Sequence, residues 1–267
     1  EPLKPMSTFL SQGVTLAFDD MSPPGGADRT IVLVHGFSSN RHEGWRRTGW
    51  YAAFERRRIR CIALDQRGHG ESEKPHAPEA YERARLAADV IALLDHLGLQ
   101  RVDLFGYSMG ARTALATAIA APDRVSNLIL GGVGGKLIGE RGLGDAGMTM
   151  AQAMRAADPE TITEPMLRSF RQFADEQGED LEALACCTET VNPPHDVDGM
   201  RTLPMPVLVV AGQRDEPAGD PEELAQLFPY GHAVTVPGCD HFSAIPHALT
   251  KAAVFDFMDG LLDDPFA

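Results

Sequence analysis

The stretch Gly106-Tyr107-Ser108-Met109-Gly110 places a serine between two glycines, with the apolar run "RVDLFGYS" leading in and the small-residue run "ARTALATAIAAP" leading out. A strand that turns sharply into a helix needs such glycines to relieve crowding. In that context G-x-S-x-G lifts a serine hydroxyl above the edge of a sheet. Ser108 would then stand at a helix N-terminus, where N–H groups and the helix dipole favour the negative charge that develops in acyl transfer.

A serine hydroxyl is a weak nucleophile until a base takes its proton, so a histidine is required at the same sheet edge. Of the nine histidines, His241 in "PGCDHFSAIP" follows the last expected strand and is the best placed. His247 and His232 are fallbacks, the first expected on the closing helix and the second at the start of a strand. The histidine in turn needs a carboxylate to fix its tautomer and stabilise the imidazolium. Asp215 in "VVAGQRDEP" follows the penultimate strand and suits that role, with Glu216 and Asp220 nearby in sequence. Asp215 would otherwise serve only to cap a turn or helix.

The elements that must carry these residues follow from hydrophobic periodicity. "STFLSQGVTLAFDD" reads as two antiparallel strands around Gly13, and "TIVLVHGF", "IRCIALDQRGHGES", "RVDLFGYS", "VSNLILGGVGG", "MPVLVVAGQRD" and "HAVTVPGCDHF" each contain a further strand. Helices are expected at about Trp45 to Arg58, over "YERARLAADVIALLDHLG" and "ARTALATAIAAP", at Pro221 to Leu227 and at about Pro246 to Leu262. The fold class is therefore α/β, a mostly parallel central sheet with helices on both faces. Between Gly135 and about Met200 the alternation stops, and helical stretches are expected near Asp145 to Ala157, Pro165 to Glu176 and Leu181 to Thr188. This segment reads as an inserted helical cap, giving a core of residues 1–135 and 201–267 with a cap at 136–200.

Bulk properties narrow the function classes. The 267 residues, 43% hydrophobic and 23% charged, suffice for one core with a cap. A formal net charge of −14 opposes nucleic acid and anionic lipid, and disfavours highly anionic substrates unless a local basic patch overrides the average. The four cysteines, Cys61, Cys186, Cys187 and Cys239, have neither zinc-site nor disulfide-framework spacing, so a reduced, cytoplasmic chain is expected. No signal peptide or bilayer-length apolar run is present in the sequence read, so no membrane partner is implied. Met6 would make a natural initiator, with Glu1 to Pro5 a remnant ahead of it. Composition says nothing of oligomeric state.

The chain resembles α/β-hydrolases with a helical cap, through "HGF" at His35 to Phe37, "DQRGHGES" at Asp65 to Ser72, "GYSMG", "GQRD" ending at Asp215 and "CDH" ending at His241. The order Ser, Asp, His is that of the family. The resemblance implies an oxyanion hole from the backbone N–H groups of Met109 and Phe37, with His35 orienting a loop rather than acting as base and "DQRGHGES" a structural turn. The lipase-type "HGGG" is absent. Serine at the elbow disfavours the haloalkane dehalogenases and epoxide hydrolases of the family, which use aspartate there.

Competing signals are weaker. Gly142 to Gly147 satisfies G-x-G-x-x-G but lacks the preceding strand and the following acid of a dinucleotide site. No histidine and carboxylate cluster has metal-ligand spacing, so neither metal nor cofactor is implied. Met148, Met150, Met154 and Met166 could line a pocket or simply pack the cap. Glu176, Glu179, Asp180 and Glu182 are expected on a solvated helix face. The reading is a cofactor-independent carboxylesterase acting on small or medium neutral ester-like substrates. C–C bond hydrolysis, thioester hydrolysis, lactone opening and perhydrolysis are alternatives on the same triad. A small-molecule receptor on a hydrolase scaffold is an alternative of another class.

Overall fold

The computed structural model describes residues 7–139 and 147–263. Its centre is an eight-stranded sheet. The strands are β1 (Ser7–Ser11), β2 (Val14–Met21), β3 (Arg29–Val34), β4 (Ile59–Leu64), β5 (Val102–Tyr107), β6 (Val125–Gly131), β7 (Val207–Gly212) and β8 (Gly231–Val236). They lie in the order β1-β2-β4-β3-β5-β6-β7-β8. β1 with β2 and β2 with β4 pair antiparallel, and every other pair is parallel. Central strands with a layer on both faces read as unbroken apolar runs, as in "TIVLV" and "VLVVAG".

The α-helices are α1 (Trp50–Arg56), α2 (Arg83–His96), α3 (Met109–Ala120), α4 (Met150–Arg155), α5 (Pro165–Gln177), α6 (Leu181–Glu189), α7 (Val197–Met200), α8 (Pro221–Ala225) and α9 (Ala248–Met258). Alternate strand residues feed opposite cores. Val32 and Val34 pack with Val90, Leu93 and Ala114, under α2 and α3. Ile31 and Leu33 pack with Trp50, Phe54 and Val254, under α1 and α9. Between β6 and β7 the chain leaves the sheet for α4 to α6, whose own small core joins Ala151, Met154, Ala174 and Leu184. α7, which periodicity does not reveal, returns Met200 to the core beneath the sheet.

Two differences from the sequence expectation have local causes. The helix expected over Trp45 to Arg58 is divided into a π-helical turn at His42–Arg46 and α1, because Gly49 between them is left-handed at φ 87°. α4 starts at Met150, where Thr149 and Gln152 form a capping box, rather than at Asp145. Asp145, most of the G-x-G-x-x-G stretch and the Met6 initiator question lie outside the described residues.

The "DQRGHGES" turn is fixed to α2 by a buried ion pair. Arg67 donates Nε and Nη2 to the Asp89 carboxylate, each at 2.7 Å, and Ser11 Oγ donates to the same carboxylate at 2.6 Å. Removing one partner leaves the other charge buried and unpaired. Asp89→Leu should cost about 3–5 kcal/mol of folding stability, measured as a lower midpoint in urea unfolding.

Candidate active site

Strand register brings the chemistry together. Tyr107 aligns with Gly131, Gly131 with Val210 and Gly212 with Val236, so the carboxyl ends of β5, β6, β7 and β8 form one edge. Ser108 follows β5 directly, Asp215 lies in the turn after β7 and His241 in the loop after β8. Ser108 adopts φ 57° and ψ −117°, and its N–H donates to Gly131 C=O at 2.8 Å. A non-glycine residue held there costs about 1–3 kcal/mol.

The flanking glycines are required by contact as well as by turn shape. A Cβ on Gly106 would lie 2.0 Å from Gly110 O, and a Cβ on Gly110 would lie 2.0 Å from Val34 O. Strand, elbow and helix therefore approach backbone to backbone.

The expected partners meet. His241 Nε2 lies 2.9 Å from Ser108 Oγ, and His241 Nδ1 lies 2.9 and 3.0 Å from the two Asp215 oxygens. An ionised carboxylate only accepts, so Nδ1 carries the proton and Nε2 is left to receive one from Ser108. Asp215 also accepts from Ala218 N–H at 3.1 Å, and both Asp215 and His241 are buried. Tyr107 Oη donates to His241 C=O at 2.6 Å and so steadies the loop that carries the histidine. The fallback residues serve elsewhere. His247 caps α9 by accepting from Leu249 N–H, Asp220 caps α8, Glu216 is exposed, and His232 on β8 sets its ring against Phe257.

A cavity of about 190 Å³ opens over Ser108 and His241, walled by Val133 and Leu137 from the sheet side and by Met166 and Phe170 from α5. A neighbouring cleft shares Met166 and His241 but not Ser108. Phe170 stacks obliquely near His241, Phe242 and Phe37, at centroid distances of 6.4, 5.3 and 5.8 Å. Of the cap methionines, Met166 lines the cavity, Met154 is fully buried packing, Met150 packs beside it and Met148 is exposed.

Glu179 departs from the solvated face expected for it. It is buried and accepts from Asn40 Nδ2 at 3.2 Å and Gly70 N–H at 3.0 Å, tying the α5–α6 connection to both loops beside the site. Burial pushes its pKa up. Asp180 accepts from Ala183 N–H and faces His76 at 2.8 Å, while Glu182 pairs with Arg155. All four cysteines are free. Cys187 on α6 touches the sulfur of Met109 at 3.7 Å. Sequence reasoning missed Tyr107, Phe170 and Arg112, the last of which also lines the cavity. Only Arg112 left a signal, its position one helical turn after Ser108.

His35 and His69 lie side by side beneath the loop, fully buried, with ring centroids 5.1 Å apart. Desolvation lowers their pKa values to about 4 and about 3. His69 Nε2 accepts from Ser38 N–H at 3.1 Å and His35 Nε2 accepts from Gln66 N–H at 3.0 Å, roles open only to neutral rings. Both folded values fall below the unfolded 6.5, so the unfolded chain takes up these protons first. Their contribution is intact above about pH 6.5 and declines as pH falls towards 4. His69→Asn should flatten the dependence of unfolding free energy on pH between 4.5 and 6 by about 1.4 kcal/mol per unit, read from denaturant titrations across that range.

Residues 29–159 match the family model for the alpha/beta hydrolase fold. The chain is 32% identical over 237 residues to 2-hydroxymuconate semialdehyde hydrolase of Pseudomonas putida, covering 81% of this chain and 82% of that protein. It is also 32% identical over 241 residues to the dihydrolipoyllysine-residue acetyltransferase component of the acetoin cleaving system of Pseudomonas putida. That match covers 86% of this chain and 62% of the longer relative. The fold is similar to that of the enol-lactonase from Burkholderia xenovorans LB400, at TM-score 0.74 and 24% identity, over 95% of this chain and 100% of that one. With this sheet order, this elbow and this buried Ser–His–Asp network, the chain belongs to the α/β-hydrolase fold family.

Proposed function

We propose that the chain is a serine hydrolase that opens a small carbonyl substrate through an acyl-enzyme. The observation that carries this reading is the unbroken run from Asp215 through His241 to Ser108 Oγ, at 2.9 Å for each link. Ser108 Oγ bonds to the carbonyl carbon as its proton passes to His241 Nε2. The tetrahedral intermediate then expels its leaving group, which receives that proton from His241. Water, deprotonated by the same nitrogen, releases the acid and restores Ser108. Asp215 holds the tautomer and stabilises the imidazolium.

Met109 and Phe37 are the oxyanion donors in this reading. Met109 N–H opens α3, where the first N–H groups have no intrahelical acceptor. In the loop after β3, Ser38 N–H is taken by His69 and Ser39 N–H by Gly36 C=O, while Phe37 N–H belongs to neither bond. Each such donor is worth about 3 kcal/mol in the transition state.

The chemistry is common to esters, lactones and activated carbon–carbon bonds. One relative matched along most of both chains is named as a semialdehyde hydrolase and another as an enol-lactonase, neither as an esterase. That supports carbon–carbon or lactone cleavage ahead of the plain carboxylesterase that the sequence alone favours. Carbon–carbon cleavage differs in one step only, since His241 must then protonate a leaving carbon that is already stabilised as an enolate.

The test is a panel of nitrophenyl esters, lactones and vinylogous 1,5-diketones with the parent and with folded Ser108→Ala and Asp215→Asn. Ser108→Ala should lose on the order of 10⁴-fold or more in kcat, and Asp215→Asn about 10⁴-fold. Turnover that survives Ser108→Ala would sink the acyl-enzyme reading. Faster turnover of the plain esters than of the other two classes would restore the carboxylesterase.

A further inference from the structure

Arg112 lines the same cavity as Ser108 and His241. It lies in the first turn of α3, one turn beyond the nucleophile, with its N–H directed at Ser108 C=O at 3.3 Å. Arg112 and Ser108 thus border one space. Arginine is an awkward choice there. The N-terminal turn of a helix disfavours a cation, and no acid stands in the first turn of α3 to offset it. The side chain is half-buried, and among the described residues no carboxylate forms an ion pair with it.

Among the described residues the cavity wall carries no acid. Its charged or titratable members are Arg112 and His241, the rest being apolar or small, although the whole chain carries −14. The neighbouring cleft, by contrast, mixes Arg214 with Glu216 and Asp240. A cation with no carboxylate partner among the described residues, set beside a nucleophile, matches an anion on the substrate.

We infer that Arg112 is a specificity-determining residue that binds a carboxylate on the acyl portion of the substrate. The inference rests on the serine-hydrolase reading and names the substrate class within it. The acyl portion is assigned because the acyl carbon becomes bonded to Ser108, and the cleft without Arg112 does not reach Ser108. The cavity of about 190 Å³ that holds both residues limits the acyl portion to a short chain. The substrate is therefore a half-ester, lactone or ketone derived from a short dicarboxylic acid.

The experiment separates binding from turnover. Ser108→Ala protein is titrated calorimetrically with glutarate and with its uncharged mate glutaramide. Glutarate should bind at least about tenfold more tightly. Adding Arg112→Met should erase the difference, and Arg112→Lys should keep part of it because the charge remains without the bidentate fork. Equal binding of the two probes, no binding of millimolar glutarate, or a preference that survives Arg112→Met would overturn the inference. In the parent, 4-nitrophenyl hydrogen glutarate should exceed 4-nitrophenyl valerate in kcat/KM, and Arg112→Met should collapse that ratio chiefly through KM. Arg112-dependent glutarate binding in a parent that hydrolyses nothing would retain the carboxylate subsite and reject the hydrolase. Ser108-dependent turnover without charge preference would do the reverse.

Discussion

The constraint on which the site depends is the backbone approach at the nucleophile elbow. Gly106 meets the carbonyl of Gly110, and Gly110 meets the carbonyl of Val34, at distances that leave no room for a Cβ. That contact presses the start of α3 onto β3 and β5 and holds Ser108 at φ 57°. The strain is sustained because the surrounding strands are buried on both faces and cannot relax outward. Once the elbow is set, the parallel register from β5 to β8 delivers Asp215 and His241 to the same edge without further adjustment.

Around the elbow, polar groups are buried in two ways that do different work. Charged pairs fasten loops: Arg67 with Asp89, and Arg41 with Asp65 and Asp19, anchor the turn that flanks the site. Neutral groups set direction: His35 and His69 spend their hydrogen bonds on backbone atoms of the β3 and β4 loops, and Gln66 joins His35 C=O to the Thr113 hydroxyl on α3. A neutral imidazole is suited to this because it accepts on one side and donates on the other without carrying charge into a dry interior. The histidine of "HGF" is thus excluded as a base by its burial and its bonds, which leaves the chemistry to His241.

Much of this was legible in the residues because it depends on local rules. Strands buried on both faces write themselves as apolar runs, and small-residue tolerance at Gly106 and Gly110 is a statement about turn geometry. The sequential order of Ser108, Asp215 and His241 at strand ends then follows from topology. What was not legible depends on what sits opposite. Glu179 is written like its acidic neighbours, but the loop after α5 folds it onto Asn40 and Gly70. The break in the helix before α1 turns on Gly49, a single residue whose left-handed conformation no periodicity records. Spacing alone could put Arg112 near Ser108, but not show that Met166 and Phe170 of α5 close the same cavity over it.

Arg112 also shows how little a net charge says about a pocket. Charges on the outer surface act through water and salt, and their influence fades over about 8–10 Å at ordinary ionic strength. A guanidinium half-buried beside the reacting atoms acts through a shorter path with less solvent between. An acidic exterior and a cationic cavity are therefore compatible, and their combination has a kinetic side. The exterior slows the arrival of any anion, whereas the cavity retains one that has entered. Discrimination between charged and neutral acyl groups then belongs to the bound state rather than to the encounter, and a single well-placed cation is enough to produce it.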